Sequence, residues 1–203
     1  MAEKRCLEFC LRAGETQPYK PLAIPIFRQI EGAIRSEKHL LPVGAEHLQA
    51  SYEEGHAVVV LDGESAVAYT RIVRLTDGDD GWWELGTTWV HREYRDKGIN
   101  KRMYAMLLPW HDCKNILATT TNPTSLEVGV CFGFVRIPRR LLPEKVWKYS
   151  CCCPPKKTGA LQTDNSDCRL AHGEPQSESS EIRCWMRVTK PTAERHALIA
   201  QAA

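Results

Sequence analysis

No apolar run in this 203-residue chain approaches the roughly 20 residues needed to cross a bilayer. The opening stretch, MAEKRCLEFCLRAG, brings charges early but no apolar core followed by small residues, so it does not read as a secretory leader. An excess of one charge is also missing. Lys and Arg number 27 against 25 Asp and Glu, and the formal net charge of +2 demands neither nucleic acid nor an anionic membrane. These absences set the expectation of a cytoplasmic protein that works away from membranes, with nothing pointing to nucleic acid. An even cysteine count is lacking too. Nine cysteines without a leader do not fit a secreted disulfide framework. Cys6, Cys10, Cys113, Cys131, Cys153 and Cys184 each sit among apolar residues or at a strand edge, which predicts reduced packing thiols.

What is present is ordinary globular material: 43% hydrophobic and 26% charged residues, enough for one domain or one domain with an appendage. RCLEFCLRA (5–13) alternates like an opening strand. From Pro21 to about Leu41, Ile26, Phe27, Ile30, Ile34 and Leu40 lie between charges in a helical rhythm, and a second short helix is expected over Ala45–Glu54. HAVVVLDGESAVAYTRIVRL (56–75) is a hairpin around an Asp-Gly-Glu-Ser turn, and WWELGTTWV (82–90) extends it to a third strand. A helix is expected at about Asn100–Leu108, with Met103, Met106, Leu107 and Trp110 on one stripe, then a strand at 115–121 and a Gly-interrupted helix at 123–134. KVWKYSCC (145–152) and EIRCWMRVTK (181–190) alternate like strands around a long loop. Strands followed by crossing helices predict a mixed α/β sheet with helices on its faces.

The segment REYRDKGINKRMY (92–104) places a glycine-bearing turn between a strand and a helix. Such a turn offers bare backbone N–H groups to an anion, and a glycine there permits close approach or a positive φ. The surrounding ELGTTWVHREYRDKGINKRMYAMLL resembles the central block of the GNAT acetyltransferase superfamily, with Val90 and Tyr94 before an Arg-x-x-Gly-x-Asn at Arg95, Gly98 and Asn100. TTTNPTSLEVGVCFGF resembles the family's second block at Asn122, Gly133 and Phe134. The two blocks cover about residues 82–136 in the family's order.

The resemblance implies a mainly antiparallel α/β sheet with a central strand splay flanked by helices, spanning 1–190, with 154–181 a loop insert and 191–203 a tail. It also implies acetyl-CoA as co-substrate. The pyrophosphate would then lie on the backbone N–H groups of Lys97, Gly98, Ile99, Asn100 and Lys101, with the charges of Arg95 and Lys97 nearby. Asn100 departs from the family's Gly or Ala. The pantetheine arm would pair with the backbone of the TTWV strand end (87–90), at Thr88, Trp89 and Val90, and Asn122 would bond the arm or a nearby water.

Acyl transfer to an amine must remove a proton, stabilise an oxyanion and reprotonate a thiolate. Glu84 is the expected general base, set between Trp83 and Leu85, while an edge or salt-bridging glutamate is the plainer alternative. His56 and His91 are lesser candidates, and Tyr104 is expected to pack. The position where the family often carries a tyrosine acid is Gly129 here, so a weakly active or inactive acetyl-CoA-binding module stays open. The acceptor would be a small-molecule or peptide amine, and a homodimer is compatible with the chain. Cys151, Cys153, Cys168 and His172 could instead ligate zinc in an interaction protein, although their spacing matches no standard finger.

Overall fold

A computed structural model describes residues 7–12, 20–37, 40, 42–76, 81–111, 115–120, 123–136, 146 and 185–188. Seven strands follow in the order β1-β2-β3-β4-β5-β7-β6: β1 Glu8–Leu11, β2 Ala57–Asp62, β3 Ser65–Arg74, β4 Trp82–Val90, β5 Asn115–Thr120, β6 Val135–Arg136 and β7 Trp185–Val188. The helices are α1 Ile24–Ser36, α2 Ala45–Glu53, α3 Ile99–Leu107 and α4 Pro123–Cys131. Two 3-10 turns, Arg92–Tyr94 and Leu108–His111, flank α3. Among the described residues no helix is long and apolar enough to cross a membrane. The mixed, mainly antiparallel α/β sheet anticipated above is the one observed.

The chain divides into two units, one of residues 1–73 and 85–112 and the other of 74–84 and 113–203. In the first, β1 pairs antiparallel with β2 (Phe9 opposite Val60) and β2 with β3 (Val59 opposite Tyr69). Strand alternation then assigns faces. Ala57, Val59 and Leu61 point to the side of α1 and α2, where Phe27, Ile30, Ile34, Leu48, Tyr52, Tyr69 and Trp89 complete one core cluster. Each such large side chain contributes about 1.5–3 kcal/mol by leaving water. The period-3.6 pattern explains α1: Phe27, Ile30 and Ile34 are buried, and Pro25 sits in the first turn, where its missing N–H costs nothing. Tyr52 and Tyr69 carry their hydroxyls into this core and satisfy them on backbone, donating to the Lys20 carbonyl at 2.7 Å and the Leu48 carbonyl at 3.1 Å.

In the second unit the residues of β4 at 82–84 run parallel to β5, Trp82 opposite Asn115 and Glu84 opposite Leu117. A parallel neighbour requires a crossover, which α3 supplies. The register of this pair ends at Glu84 and Leu117, although β4 continues to Val90 and β5 to Thr120. β7 pairs antiparallel with β5 and with β6.

Four expectations need correction or fall outside the described residues. Trp110 does not continue the α3 stripe. The α-helix stops at Leu107 because Pro109 has no N–H to extend it, and the 3-10 turn leaves Trp110 half exposed at 49%. Of the expected packing thiols, Cys10 is buried, but Cys131 at the end of α4 is exposed, and the others lie outside the described residues. The strand expected over 145–152 is described only at Val146, which is helical and buried; the short strand beside β7 is β6, released from α4 by Gly133 at φ +76. The loop insert at 154–181 and the tail lie outside the described residues.

Candidate functional site

The first unit gathers β4 from Leu85 onward, the Arg92–Tyr94 turn and the N-terminus of α3. His91 accepts from the Glu93 N–H at 3.4 Å and caps the 3-10 turn, its ring edge-on to Trp89 and Tyr94. It is thus a capping residue rather than a loose surface histidine. Tyr94 is buried and donates its hydroxyl to Asp62, which ties the turn to the β2–β3 hairpin.

Beyond Tyr94 the chain takes two left-handed residues, Asp96 at φ +61 and Gly98 at φ +72. Gly98 is the N-cap of α3, no side chain caps the helix, and its carbonyl accepts the first helical bond from Arg102 at 3.0 Å. The N–H groups of Ile99, Asn100 and Lys101 therefore emerge from the helix end without an intrahelical acceptor. A Cβ built on Gly98 would meet nothing within 4 Å. Unpaired N–H groups at the positive end of a helix are the kind of donors that suit an anion. Ile99 anchors it by turning its side chain into the core, 4% exposed. Asn100 adds an open acceptor: its Oδ1 is buried, and no described residue donates to it.

The two cations of the turn have partners within the protein. Arg95 sends its guanidinium to Glu37 at 2.5 Å and donates from Nε to the Val90 carbonyl at 3.0 Å. Its charge is partnered, and its effect is to hold the turn against the end of α1. Lys97 donates to the Glu93 carbonyl at 2.7 Å and lies 5.1 Å over the Tyr94 ring. Both brace the turn from behind.

On β4, Thr88 is engaged through its side chain. Its hydroxyl lies 2.8 Å from that of fully buried Thr70 and 3.1 Å from the hydroxyl of Tyr104 on α3. Tyr104 is buried, as expected of a packing residue, but it also closes this run of three hydroxyls. Trp89 faces the opposite core. Between them and Gly86, Thr87 holds φ +50, an uncommon conformation for a β-branched residue, of the kind that costs about 1–3 kcal/mol. Its hydroxyl accepts from Arg71. The expected site residues did not include Arg71, and Thr87 entered only as part of the 87–90 backbone, not for its left-handed φ; the available signal was Gly86, since glycine inside a strand often marks an irregularity.

Glu84, the expected base, is a half-buried residue of the second unit at the end of the β4–β5 register. His56 is half-buried before β2, with its ring 5.1 Å from that of buried His111. Asn122 lies outside the described residues, as do Cys151, Cys153, Cys168 and His172; no metal-holding group of His, Cys, Asp or Glu occurs among those that are described. Gly129 is buried within α4.

The geometry is that of an open α/β sheet whose fourth strand leads, through a 3-10 turn, into a helix N-terminus without a side-chain cap. Comparison with known families agrees: the acetyltransferase (GNAT) family model matches residues 25–128, just over half the chain. The chain belongs to the GNAT acetyltransferase family, whose co-substrate is acetyl-CoA. No curated protein sequence matches it. Among solved structures it is similar to Arabidopsis thaliana Naa50 in complex with the bisubstrate analogue CoA-Ac-MVNAL, at TM-score 0.54 and 10% identity over 91% of this chain and 99% of that one. It is also similar to Rv2747 from Mycobacterium tuberculosis in complex with CoA and NLQ, at TM-score 0.54 and 15% identity over 85% and 98% of the two chains. N-acetylglutamate synthase from Neisseria gonorrhoeae, complexed with coenzyme A and L-arginine, matches at TM-score 0.53 and 14% identity over 91% of this chain but 33% of its own. At these identities the likeness is one of fold.

Proposed function

We propose that the chain is an N-acetyltransferase that moves an acetyl group from acetyl-CoA directly to a primary amine, carried by a small molecule or a peptide. The observation that carries this reading is the turn at Asp96–Lys101: two left-handed residues and an uncapped helix start, with open space where a pyrophosphate would approach. Lys97, Gly98, Ile99, Asn100 and Lys101 would hold the pyrophosphate through their N–H groups. Arg95 would act by fixing the turn. Thr88, Trp89 and Val90 would pair with the pantetheine arm through backbone groups, and Asn122 would add a polar contact. The open Oδ1 of Asn100 suits an N–H or O–H donor of the cofactor.

In the reaction the amine lone pair attacks the thioester carbonyl, a C–N bond forms, and the C–S bond breaks. Glu84 is the group we assign to take the ammonium proton. The departing thiolate takes its proton from water, which a thiol with an ordinary value near 8.5 permits. One observation favours a second reading, a CoA-binding module with weak turnover: position 129, where the family often carries a tyrosine acid, is a buried glycine.

The test is calorimetric titration of CoA and acetyl-CoA, followed by thiol release from acetyl-CoA with a panel of diamines, amino acids and peptide N-termini. Binding with amine-dependent thiol release supports transfer. Binding with no release for any amine favours the module, and absence of binding by the folded protein overturns both.

A further inference from the structure

The β4 backbone where an acyl group would sit is held by a side chain from the neighbouring strand. Thr87 is β-branched yet left-handed, φ +50. Its hydroxyl accepts from the Arg71 Nε at 3.2 Å, and the same guanidinium donates to the Ser51 hydroxyl on α2 at 3.4 Å. Ser51 in turn donates to the His47 carbonyl inside α2 at 2.9 Å. Arg71 stands opposite Ala57 in the β2–β3 register, which directs it to the α1–α2 side, away from the Thr70–Thr88–Tyr104 run. The strand is therefore gripped from both faces at consecutive residues.

The place of this grip along the cofactor follows from lengths, and it rests on the acetyl-CoA reading above. The arm from pyrophosphate to sulfur spans about five residues of extended strand, at ~3.3 Å per residue. With the pyrophosphate on the α3 terminus, part of that length carries the arm past His91 to the end of β4, and the rest, along Val90, Trp89 and Thr88, would bring the thioester beside Thr87. Left to itself a threonine returns to the β region. That return would rotate the peptide between residues 87 and 88 and misplace whatever lies against it, and misplacement by ~1 Å costs on the order of 100-fold in rate.

We infer that Arg71 is a positioning residue: its planar fork, braced on α2, keeps Thr87 left-handed so that β4 presents its backbone to the thioester carbonyl in reacting geometry. Arg71 touches neither the acyl group nor the amine. Lysine cannot replace it, because a point charge on a flexible stem lacks the fixed Nε–H that meets the threonine hydroxyl.

The experiment compares wild type, R71M, R71K, T87G and R71M/T87G by CoA titration and by thiol release from acetyl-CoA, with hydroxylamine as a small nucleophilic probe and the uncatalysed rate subtracted. Expected is a CoA Kd within about 3-fold across the set, and a rate at least about 10-fold lower in R71M and R71K. Recovery is expected in R71M/T87G, to within about 3-fold of T87G, because glycine holds a positive φ without help. R71K stands in if R71M fails to fold. An unchanged rate in both arginine variants overturns the inference. So does a loss that glycine at 87 does not restore, which would assign Arg71 a charge role toward the acceptor, or a parallel loss of CoA affinity, which would mark general damage. A wild type that binds CoA but releases no thiol overturns this inference and favours the binding module, with the acetyl-CoA site itself left standing. One that does not bind overturns the acetyl-CoA reading with it.

Discussion

Gly55 and Gly98 have nearly the same backbone, φ +77 and φ +72, in opposite surroundings. A Cβ on Gly55 would fall 2.4 Å from the Arg12 carbonyl oxygen, whereas one on Gly98 would meet no heavy atom within 4 Å. Gly55 closes α2: its N–H donates to the Tyr52 carbonyl at 3.0 Å, and the end of β1 packs directly on it. Gly98 opens α3 toward the outside. The protein's own packing leaves no room for a side chain at the first glycine, whereas at the second the backbone angle alone favours glycine and the space beyond is open. A left-handed glycine by itself says nothing of function, and neither does open space, which Gly63 and Gly133 share; Gly98 differs from them in standing at the uncapped start of α3.

The largest effect that tests this contrast is loss of cofactor at Gly98. G98W should leave the fold standing, since the indole projects into open space, with a stability cost near the ~1 kcal/mol of a left-handed L-residue. CoA affinity should fall at least ~100-fold, equivalent to about 2.7 kcal/mol, by calorimetry on protein whose melt is nearly unchanged. A folded G98W that binds CoA like wild type would remove Gly98 from the site.

The opposite pattern is expected at Gly55. G55A forces a methyl against backbone and strains φ at once, and should cost about 2–3 kcal/mol in urea unfolding. The CoA affinity of the folded fraction should stay within about 3-fold. If G55A instead weakens CoA binding without destabilising the protein, the division between a packing glycine and a ligand glycine fails.

The sequence announced these two turns unequally. Gly98 stood out because a strand and an amphipathic helix flank it, and β1–β4 with α1–α3 were legible from periods of 2 and 3.6, since each buries one face. The contacts that local pattern could not reveal depend on partners far along the chain. Arg95 stands in the turn by sequence, but that Glu37, 58 residues away, pairs with its guanidinium is not visible there. Thr87 looks like an ordinary strand residue until the fold brings Arg71 across to it. The apolar stripe was carried on to Trp110, past the expected helix end, because the apolar period continues through Pro109 while the hydrogen bonds cannot. Local pattern encodes elements and the backbone turn, whereas the orientation of long charged side chains is decided by tertiary neighbours.

Cys10 gives a reporter on the Gly55 side. Burial, with the nearby Glu8 carboxylate adding to it, pushes its thiol up from 9.0 to about 11. The folded protein thus retains a proton that the unfolded chain releases first. Stability should hold below pH ~9, fall as pH rises from ~9 to ~11, and level off above, the sign linkage requires when the native state binds more protons. C10A should flatten that slope in urea titrations across this range. At pH 8, alkylation of Cys10 should be slow in wild type and faster in G55A, since Cys10 lies on β1 and the Arg12 carbonyl that a methyl at 55 would strike follows directly after that strand. Equal rates would mean that the Gly55 turn and β1 open independently.

The smallest expected effect lies at Glu37, and it asks whether the Gly98 turn is held by charge or by shape. The Glu37–Arg95 pair is half exposed, with side chains at 33% and 48%, so its loss should cost under about 1 kcal/mol. Gln keeps the size of the side chain, and Arg95 keeps its bond to the Val90 carbonyl. E37Q should therefore leave the turn in place while freeing one positive charge beside it. CoA should bind about 2-fold tighter at low salt, and the gain should vanish in ~0.3 M salt as the freed charge is screened. Weaker binding in E37Q at every salt concentration would reverse the reading, because the carboxylate would then be setting the geometry of the turn rather than neutralising its arginine.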